Sequence, residues 1–285
     1  MIHSITQSTG HSVRLICQTL DVPRSSYYHA AEPTASQLSD AEMTKAIAII
    51  FWDHRRRYGY RRIWKQLAAQ ESIVCAPTRV RRLVREHDLH ALQPKTYVPQ
   101  TSDGRADAPS PNLLLDQPSP TQPNKVWAGD ITFIPAGEKW LYLAVVIDLC
   151  SRRIVGWQLA DHLRADLVTA ALRKALATCT NTRGIIFHSD RGSQYGSTQF
   201  RALLTTAGIR QSMSARANPY HNAWTESFMG TLKAEMLQGG RFIDQADAAT
   251  EIFAFIDAYD NTHRLHSSLN YRSPASFESD IALAN

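Results

Sequence analysis

The chain of 285 residues has room for one large domain or two ordinary ones. With 44% hydrophobic and 20% charged residues its composition is globular, which excludes a disordered or fibrous chain. No apolar stretch nears the roughly 18 residues of a membrane span, and the polar start from Met1 to Gly10 has no secretory h-region, so a soluble intracellular protein with no membrane partner is expected.

The net charge of +5 is unevenly spread. Residues 1–125 carry 16 Lys/Arg against 11 Asp/Glu, while residues 126–285 carry 15 against 15. Between Arg55 and Arg85, ten basic residues face the single acid Glu71. Such a local excess suits a polyanion, because neutralising phosphates releases bound counterions. Cys17, Cys75, Cys150 and Cys179 have no zinc-site or disulfide-framework spacing and are expected to be reduced.

The N-terminal third reads as helical. Val13, Ile16, Cys17 and Leu20 mark one face of a short helix, which Asp21-Val22-Pro23 stops. Pro23 can open a further turn around Ser25-Ser26-Tyr27-Tyr28. Met43, Ile47, Ile50 and Phe51 repeat the stripe, and a helix carrying Ile63, Trp64 and Leu67 follows Tyr58-Gly59-Tyr60. Thr78 then reads as an N-cap. Behind it Val80, Leu83, Val84 and His87 point inward, and Arg79, Arg81, Arg82 and Arg85 outward. Two short helices, the second studded with arginines, have the look of a helix-turn-helix. Arg55, Arg56, Arg57, Arg61 and Arg62 join those four as candidate DNA contacts; a solvated helical face is the plain alternative.

Residues 93–125 hold seven of the thirteen prolines and read as an extended linker. The expected division is therefore a helical basic region over 1–92, a linker over 93–124 and a second domain over 125–285.

Beyond the linker the period becomes that of strands. Strands are expected over 126–134, 139–149 and 152–160, with a hairpin turn at Pro135-Ala136-Gly137-Glu138. Trp127, Trp140 and Trp157 fall in these strands and read as core. Then come a helix over 166–178, a strand over 184–188, a helix over 199–207, a strand over 209–213, and helices over 222–238 and 244–262. Three antiparallel strands followed by alternating helices and strands is the order of the RNase H-like fold, an α/β domain with helices on both sheet faces.

Three acids stand where phosphoryl-transfer chemistry needs them. Asp130 interrupts the first strand, where a lone carboxylate is costly unless a cation neutralises it. Asp190 ends the fourth strand, and strand ends open into the clefts where α/β sheets bind ligands. Glu226 lies early in the helix from Asn222, with Gly230 and Lys233 along the same face. Two hard cations held by such carboxylates would activate one oxygen and stabilise another. Each acid taken alone reads more readily as a cap, turn or surface partner, as Asp148 does for the turn into Ser151. His188 reads as a substrate-orienting group or a satisfied strand-end histidine. Tyr195, in Gly192-Ser193-Gln194-Tyr195, reads as a base stacker on a loop over the cleft or as part of a connecting turn.

The spacing of the acids taken together is more specific. Asp190 and Glu226 have 35 residues between them, and Lys233 follows after six more. This resembles the DDE signature of retroviral integrases and bacterial insertion-sequence transposases. Trp127-x-x-Asp130-Ile131-Thr132, His188-Ser189-Asp190-Arg191-Gly192-Ser193-Gln194-Tyr195 and Glu226-Ser227-Phe228-x-x-x-Leu232-Lys233 look like the second-frame (OrfB) product of IS-three family elements. So do the tail Asn261-x-x-Arg264-x-His266-x-x-Leu269 and the leader motifs Arg24-Ser25-Ser26-Tyr27-Tyr28 and Tyr58-Gly59-Tyr60-Arg61-Arg62-Ile63.

The resemblance implies an RNase H-like integrase catalytic core behind an N-terminal all-α, helix-turn-helix-like region. It assigns Asp130, Asp190 and Glu226 to two Mg²⁺ ions, with Mn²⁺ as a substitute, and Lys233 to a DNA phosphate. It implies end nicking and strand transfer by a homo-oligomer on DNA in the cytoplasm, at the nucleoid, with an upstream-frame (OrfA-type) protein or fusion. Ala217 and His221 depart from the family's pattern of glycine and aspartate at those positions. Two rival readings use the same residues: an RNase H-like nuclease, and a decayed, non-catalytic DNA-binding descendant.

Overall fold

The computed structural model describes residues 2–23, 35–70, 73, 75–94, 109–115, 117–214 and 223–284. The motif Arg24 to Tyr28, most of the expected linker and the departures at Ala217 and His221 lie outside these.

Helices α1 (Ile2–Thr9), α2 (Val13–Thr19), α3 (Ala35–Asp53), α4 (Tyr60–Gln70) and α5 (Pro77–Glu86) make up the N-terminal region. Ser12, not an apolar residue, opens α2 by accepting a hydrogen bond from the Leu15 amide. Met43, Ile47, Ile50 and Phe51 of α3 meet Ile63 and Leu67 of α4 and Val80 and Leu83 of α5 in one core. Two expectations need correcting. The N-cap of α5 is Ala76, because Pro77 takes the first helical position, where its missing N–H costs nothing. His87 caps the other end of α5 and is exposed rather than inward.

The second unit is built on a five-stranded sheet of order β3-β2-β1-β4-β5. Strands β1 (Val126–Ala136), β2 (Lys139–Asp148) and β3 (Ile154–Ala160) are antiparallel neighbours. Strands β4 (Ile186–Ser189) and β5 (Arg210–Met213) extend it in parallel from β1. The hairpin turn is narrower than expected: strand pairing runs through Ala136↔Lys139, leaving Gly137, at φ +51°, and Glu138 to reverse the chain. β3 starts two residues late because Arg152 sits at φ +62°, outside strand geometry. Asp148 serves the turn as expected, accepting from the amides of Cys150 and Ser151 at 2.9 and 2.8 Å.

Helices cover both sheet faces. On one lie α6 (Ala165–Ala177), the short α7 (Ser193–Gly196) and α8 (Thr198–Thr206), packed on Trp127, Ile131, Val146 and Phe187. On the other, α9 (Ala223–Met236) and α10 (Gln245–Phe255) pack on Ala128, Ile134, Leu143 and Val145. α10 begins where expected, with Asp244 as its N-cap, but the long helix expected to 262 changes to a π-helical turn over Ile256–Asp260. A final helix, α11 (Pro274–Ala284), was not foreseen. Trp140, expected in the core, is 59% exposed at the hairpin end of β2, beyond the reach of the covering helices.

The segment after α10 joins the two units. Tyr58 Oη accepts from the Leu265 amide at 2.8 Å, and Arg62 Nε donates to the Leu265 carbonyl at 2.7 Å. The Arg57 guanidinium stacks over the rings of Tyr259 and Phe255, at 4.5 and 5.0 Å. No helix among the described residues is long and apolar enough to cross a membrane.

Candidate active site

The site begins with strand register. β1 and β4 run parallel, with Ala128 opposite His188 as their last pair. Two residues further on lies Asp130 in β1 and Asp190 just past the end of β4. Neighbouring strands are about 4.8 Å apart and alternate side chains share a face. The topology therefore sets the two carboxylates side by side where β4 stops and β1 continues. Asp130, Ile131, Phe133, Leu163, Asp190, Gly192, Gln194 and Tyr195 line one cleft there.

Local geometry fixes both acids. Asp130 Oδ1 accepts from the Ile131 amide at 2.8 Å, and Asp190 Oδ1 from the Gly192 amide at 3.0 Å. A Cβ at Gly129 would lie 2.5 Å from Phe187 Cζ, so any larger residue there would force the ring or the strand to shift. Phe187 and β1 thus pack at backbone distance beside Asp130.

Asp130 shares the sheet face of Ala128, which α9 covers with Phe228, Met229 and Leu232. Glu226 is in the first turn of α9 and exposed; Lys233 is half-buried, two turns along. Glu226 does not line the cleft. Among the described residues no three acidic, His or Cys side chains converge closely enough to make a complete metal cluster.

The electrostatics identify what would complete it. Burial, then the neighbouring Asp190 charge, push Asp130 up to about 8, with Glu226 adding and Lys233 opposing. Partial desolvation on the helix also raises Glu226, and burial lowers Lys233, which Asp130 partly restores. Two half-buried carboxylates repelling each other at a cleft call for a cation, and an all-oxygen donor set suits Mg²⁺. The residues present fit a divalent ion.

The candidate DNA contacts divide sharply. Arg55, Arg61, Arg81, Arg82 and Arg85 are exposed and Arg56 is half-buried. Thr78, Arg81, Arg82, Arg85 and Glu86 line a shallow groove on α5. The Tyr60 ring lies under both Arg61 and Arg81, at 5.4 and 5.8 Å, which gathers the cations of α4 and α5. Arg79 and Arg82 are ion-paired with Asp40. Arg57 and Arg62 are not on this face at all; they are committed to the joint with residues 255–265. Tyr195 is also no surface stacker. It is 2% exposed, packed between Phe187 and Phe200, because Gly192 turns the chain straight into α7 instead of a loop. His188 is buried at the end of β4 with Nδ1 2.8 Å from Ser212 Oγ, which fits the strand-end reading.

Two groups escaped the sequence reading. Gln194 lines the cleft while its amide donates to the Leu163 carbonyl at 3.1 Å. Glu235, on α9 beyond Lys233, is buried against Arg264. The tail motif contained Arg264, but nothing in it names the partner.

Cleft, sheet order and flanking helices together define an integrase-type catalytic core. The chain matches the integrase core domain family over residues 120–219 and again over 207–274, and the HTH-like domain family over 37–97. It is 39% identical to the transposase for insertion sequence element IS904 of Lactococcus lactis, across 86% of this chain and 97% of that one. It is 34% identical to transposase InsF for IS3A of Escherichia coli K12, across 94% of each. A solved simian T-cell lymphotropic virus intasome aligns over 74% of this chain and 69% of its own, at 17% identity and TM-score 0.47. This chain belongs to the insertion-sequence transposases with an integrase core domain. That core family depends on divalent metal ions.

Proposed function

We propose that this chain nicks the end of an insertion sequence and joins the freed 3′-OH to a second DNA strand. The observation that carries the reading is Asp130 and Asp190 in one cleft, with the helix of Glu226 and Lys233 across the same face, in a chain of this family. The three carboxylates would hold two Mg²⁺ ions, for which Mn²⁺ can substitute; when bound these polarise the scissile phosphate and acidify the attacking O–H. In the joining step the 3′-oxygen attacks phosphorus, one P–O bond forms and one breaks, and the leaving oxygen takes up a proton.

The protein's own contribution is positional. The Lys233 ammonium, on α9 two turns from Glu226, would hold a DNA phosphate beside the metal site. Region 1–92 binds the element end through the exposed arginines, Arg55, Arg61, Arg81, Arg82 and Arg85, with 93–124 leading to the core of 125–285. Pairing two ends requires an oligomer, and an upstream-frame (OrfA-type) protein or fusion would supply further DNA contacts. The setting is the cytoplasm, at the nucleoid.

The test is a labelled duplex carrying the element end, incubated with the purified chain and Mg²⁺, with EDTA and Asp190→Asn as controls. Nicking at the end, lost in both controls, supports the reading. Nicking of any duplex alike would mark a nuclease instead, and binding without nicking a DNA-binding descendant.

A further inference from the structure

The hairpin of β1 and β2 ends in an aromatic patch that the reaction above leaves unused. Phe133, Pro135, Trp140 and Tyr142 share one sheet face, since Phe133 pairs with Tyr142 and Pro135 with Trp140 across the ladder. The Phe133 ring stands edge-on to Trp140, with centroids 6.3 Å apart, and tilted to Tyr142 at 5.1 Å. Nearer the middle of the sheet, α6 to α8 cover this face, and Tyr142 packs at the rim of that core. Beyond it Trp140 is 59% exposed. A single exposed hydrophobe is ordinary, but three adjoining aromatics with the largest of them in water mark a surface that binds something.

Its place narrows what that is. Ladder pairing of β1 with β4 ends at Ala128, and past that point Asp130 and Phe133 line one cleft with Asp190. The patch is therefore continuous with the candidate active site. Three residues of strand carry the chain from Asp130 to Phe133, about 10 Å, or roughly three nucleotides of a stacked strand at about 3.4 Å each. Lys139 and Arg241, both exposed, outnumber Glu138 at the hairpin tip, and Arg241 donates to the Gly137 carbonyl at 2.6 Å. Rings beside basic groups suit a single strand, whose bases stack while its phosphates meet the cations. A base inside a duplex has both faces covered by its neighbours, so only an unpaired one can lie on Trp140.

We propose that Phe133, Trp140 and Tyr142 form a stacking platform for DNA: an unpaired base, within about three nucleotides of the phosphodiester held at Asp130 and Asp190, lies on the Trp140 indole. This rests on the cleft taking DNA, as argued above. It gives the chain a means of holding the duplex open beside the reacting phosphate.

The experiment compares two element-end duplexes bound to the full chain in EDTA, so that nothing is cut. One is fully paired; the other has mismatches that unpair the nucleotides at the cleavage site, with 5-iodouracil among them. Affinity is read by fluorescence anisotropy. Irradiation joins the iodouracil to a ring stacked on it, and mass spectrometry locates the crosslink. The crosslink is expected on Trp140. Trp140→Ala should melt like the wild type, since its indole is exposed. It should bind the open duplex roughly 10-fold more weakly and the paired one unchanged, and Trp140→Phe should recover most of the loss. Wild-type affinity of Trp140→Ala for the open duplex, or crosslinks only outside the hairpin, would overturn the proposal. So would loss of self-association in Trp140→Ala with open-duplex affinity unchanged, which would make the patch a contact between copies. If the wild type binds neither duplex, the DNA reading itself fails and the platform with it. If the wild type nicks the element end while Trp140→Ala binds the open duplex unaltered, the platform alone fails.

Discussion

Glu235 accepts two guanidinium hydrogen bonds from Arg264, at 2.5 and 2.6 Å, with both side chains 4% exposed. Glu235 sits on the helix that carries Glu226 and Lys233, and Arg264 on the segment that also holds Tyr58 and Arg62. One buried pair therefore ties the third carboxylate's helix to the joint between the two units. Removing one partner leaves the other charged and dry, which costs roughly 3–5 kcal/mol. Arg264→Ala is expected to lower stability by that order in urea unfolding, and Glu235→Ala similarly. Arg264→Lys should recover part of it, since one of the two bonds can re-form.

Gly129→Ala tests how closely β1 is packed beside the site. The added methyl would meet the Phe187 ring at 2.5 Å, so strand or ring must shift, at about 1–3 kcal/mol. We expect nicking to fall further than stability alone explains, because Asp130 is the next residue. Full nicking activity in a destabilised Gly129→Ala would contradict this.

Asp130 makes the metal-free protein pH-sensitive. Its carboxyl is raised to about 8 by burial and by Asp190, far above its value in the unfolded chain, so between about pH 4 and 8 the folded state binds the extra proton. Its contribution is therefore fully present at low pH and is lost as pH rises to about 8. Metal-free melting temperature should decline over that window, and Asp130→Asn should flatten the decline. Added Mg²⁺ should stabilise wild type more at pH 8 than at pH 6, because it binds the ionised form. A pH-independent Mg²⁺ effect in wild type would count against the pairing.

The arginines should separate into two groups. Arg81→Ala with Arg85→Ala removes exposed charge from α5; stability should change by no more than about 0.5 kcal/mol for each. The slope of log affinity for DNA against log salt should flatten by about 1 for each phosphate that is no longer neutralised. Arg57→Ala should do the opposite, lowering the melting temperature because its stacking on Tyr259 and Phe255 is gone, with little change in the salt slope.

The order of elements was legible because periodicity is a local property of the chain, and Asp130 and Asp190, read at strand positions, line one cleft. The burial of Phe187 and the continuation of β1 past β4 were not legible, since they depend on which strands become neighbours. Arg57 and Arg62 look like Arg55 and Arg61 in any window of sequence. Only the packing of residues 255–265, some 200 positions away, turns the first two inward. Tyr195 misled for a related reason. A Gly-Ser-Gln-Tyr run after a strand suits an open loop as well as a one-turn helix, and the aromatic cluster that decides between them comes from separate elements. The pairing of Glu235 with Arg264 was hidden for the same cause.

Carboxylate-dependent strand transfer is tested most directly in cells that carry the flanking DNA and express the chain with its upstream frame, by amplifying across abutted element ends. A junction product is expected from the wild type and should disappear in Asp190→Asn. A junction that persists in Asp190→Asn would contradict the proposed chemistry, because strand transfer would then not depend on the carboxylate pair.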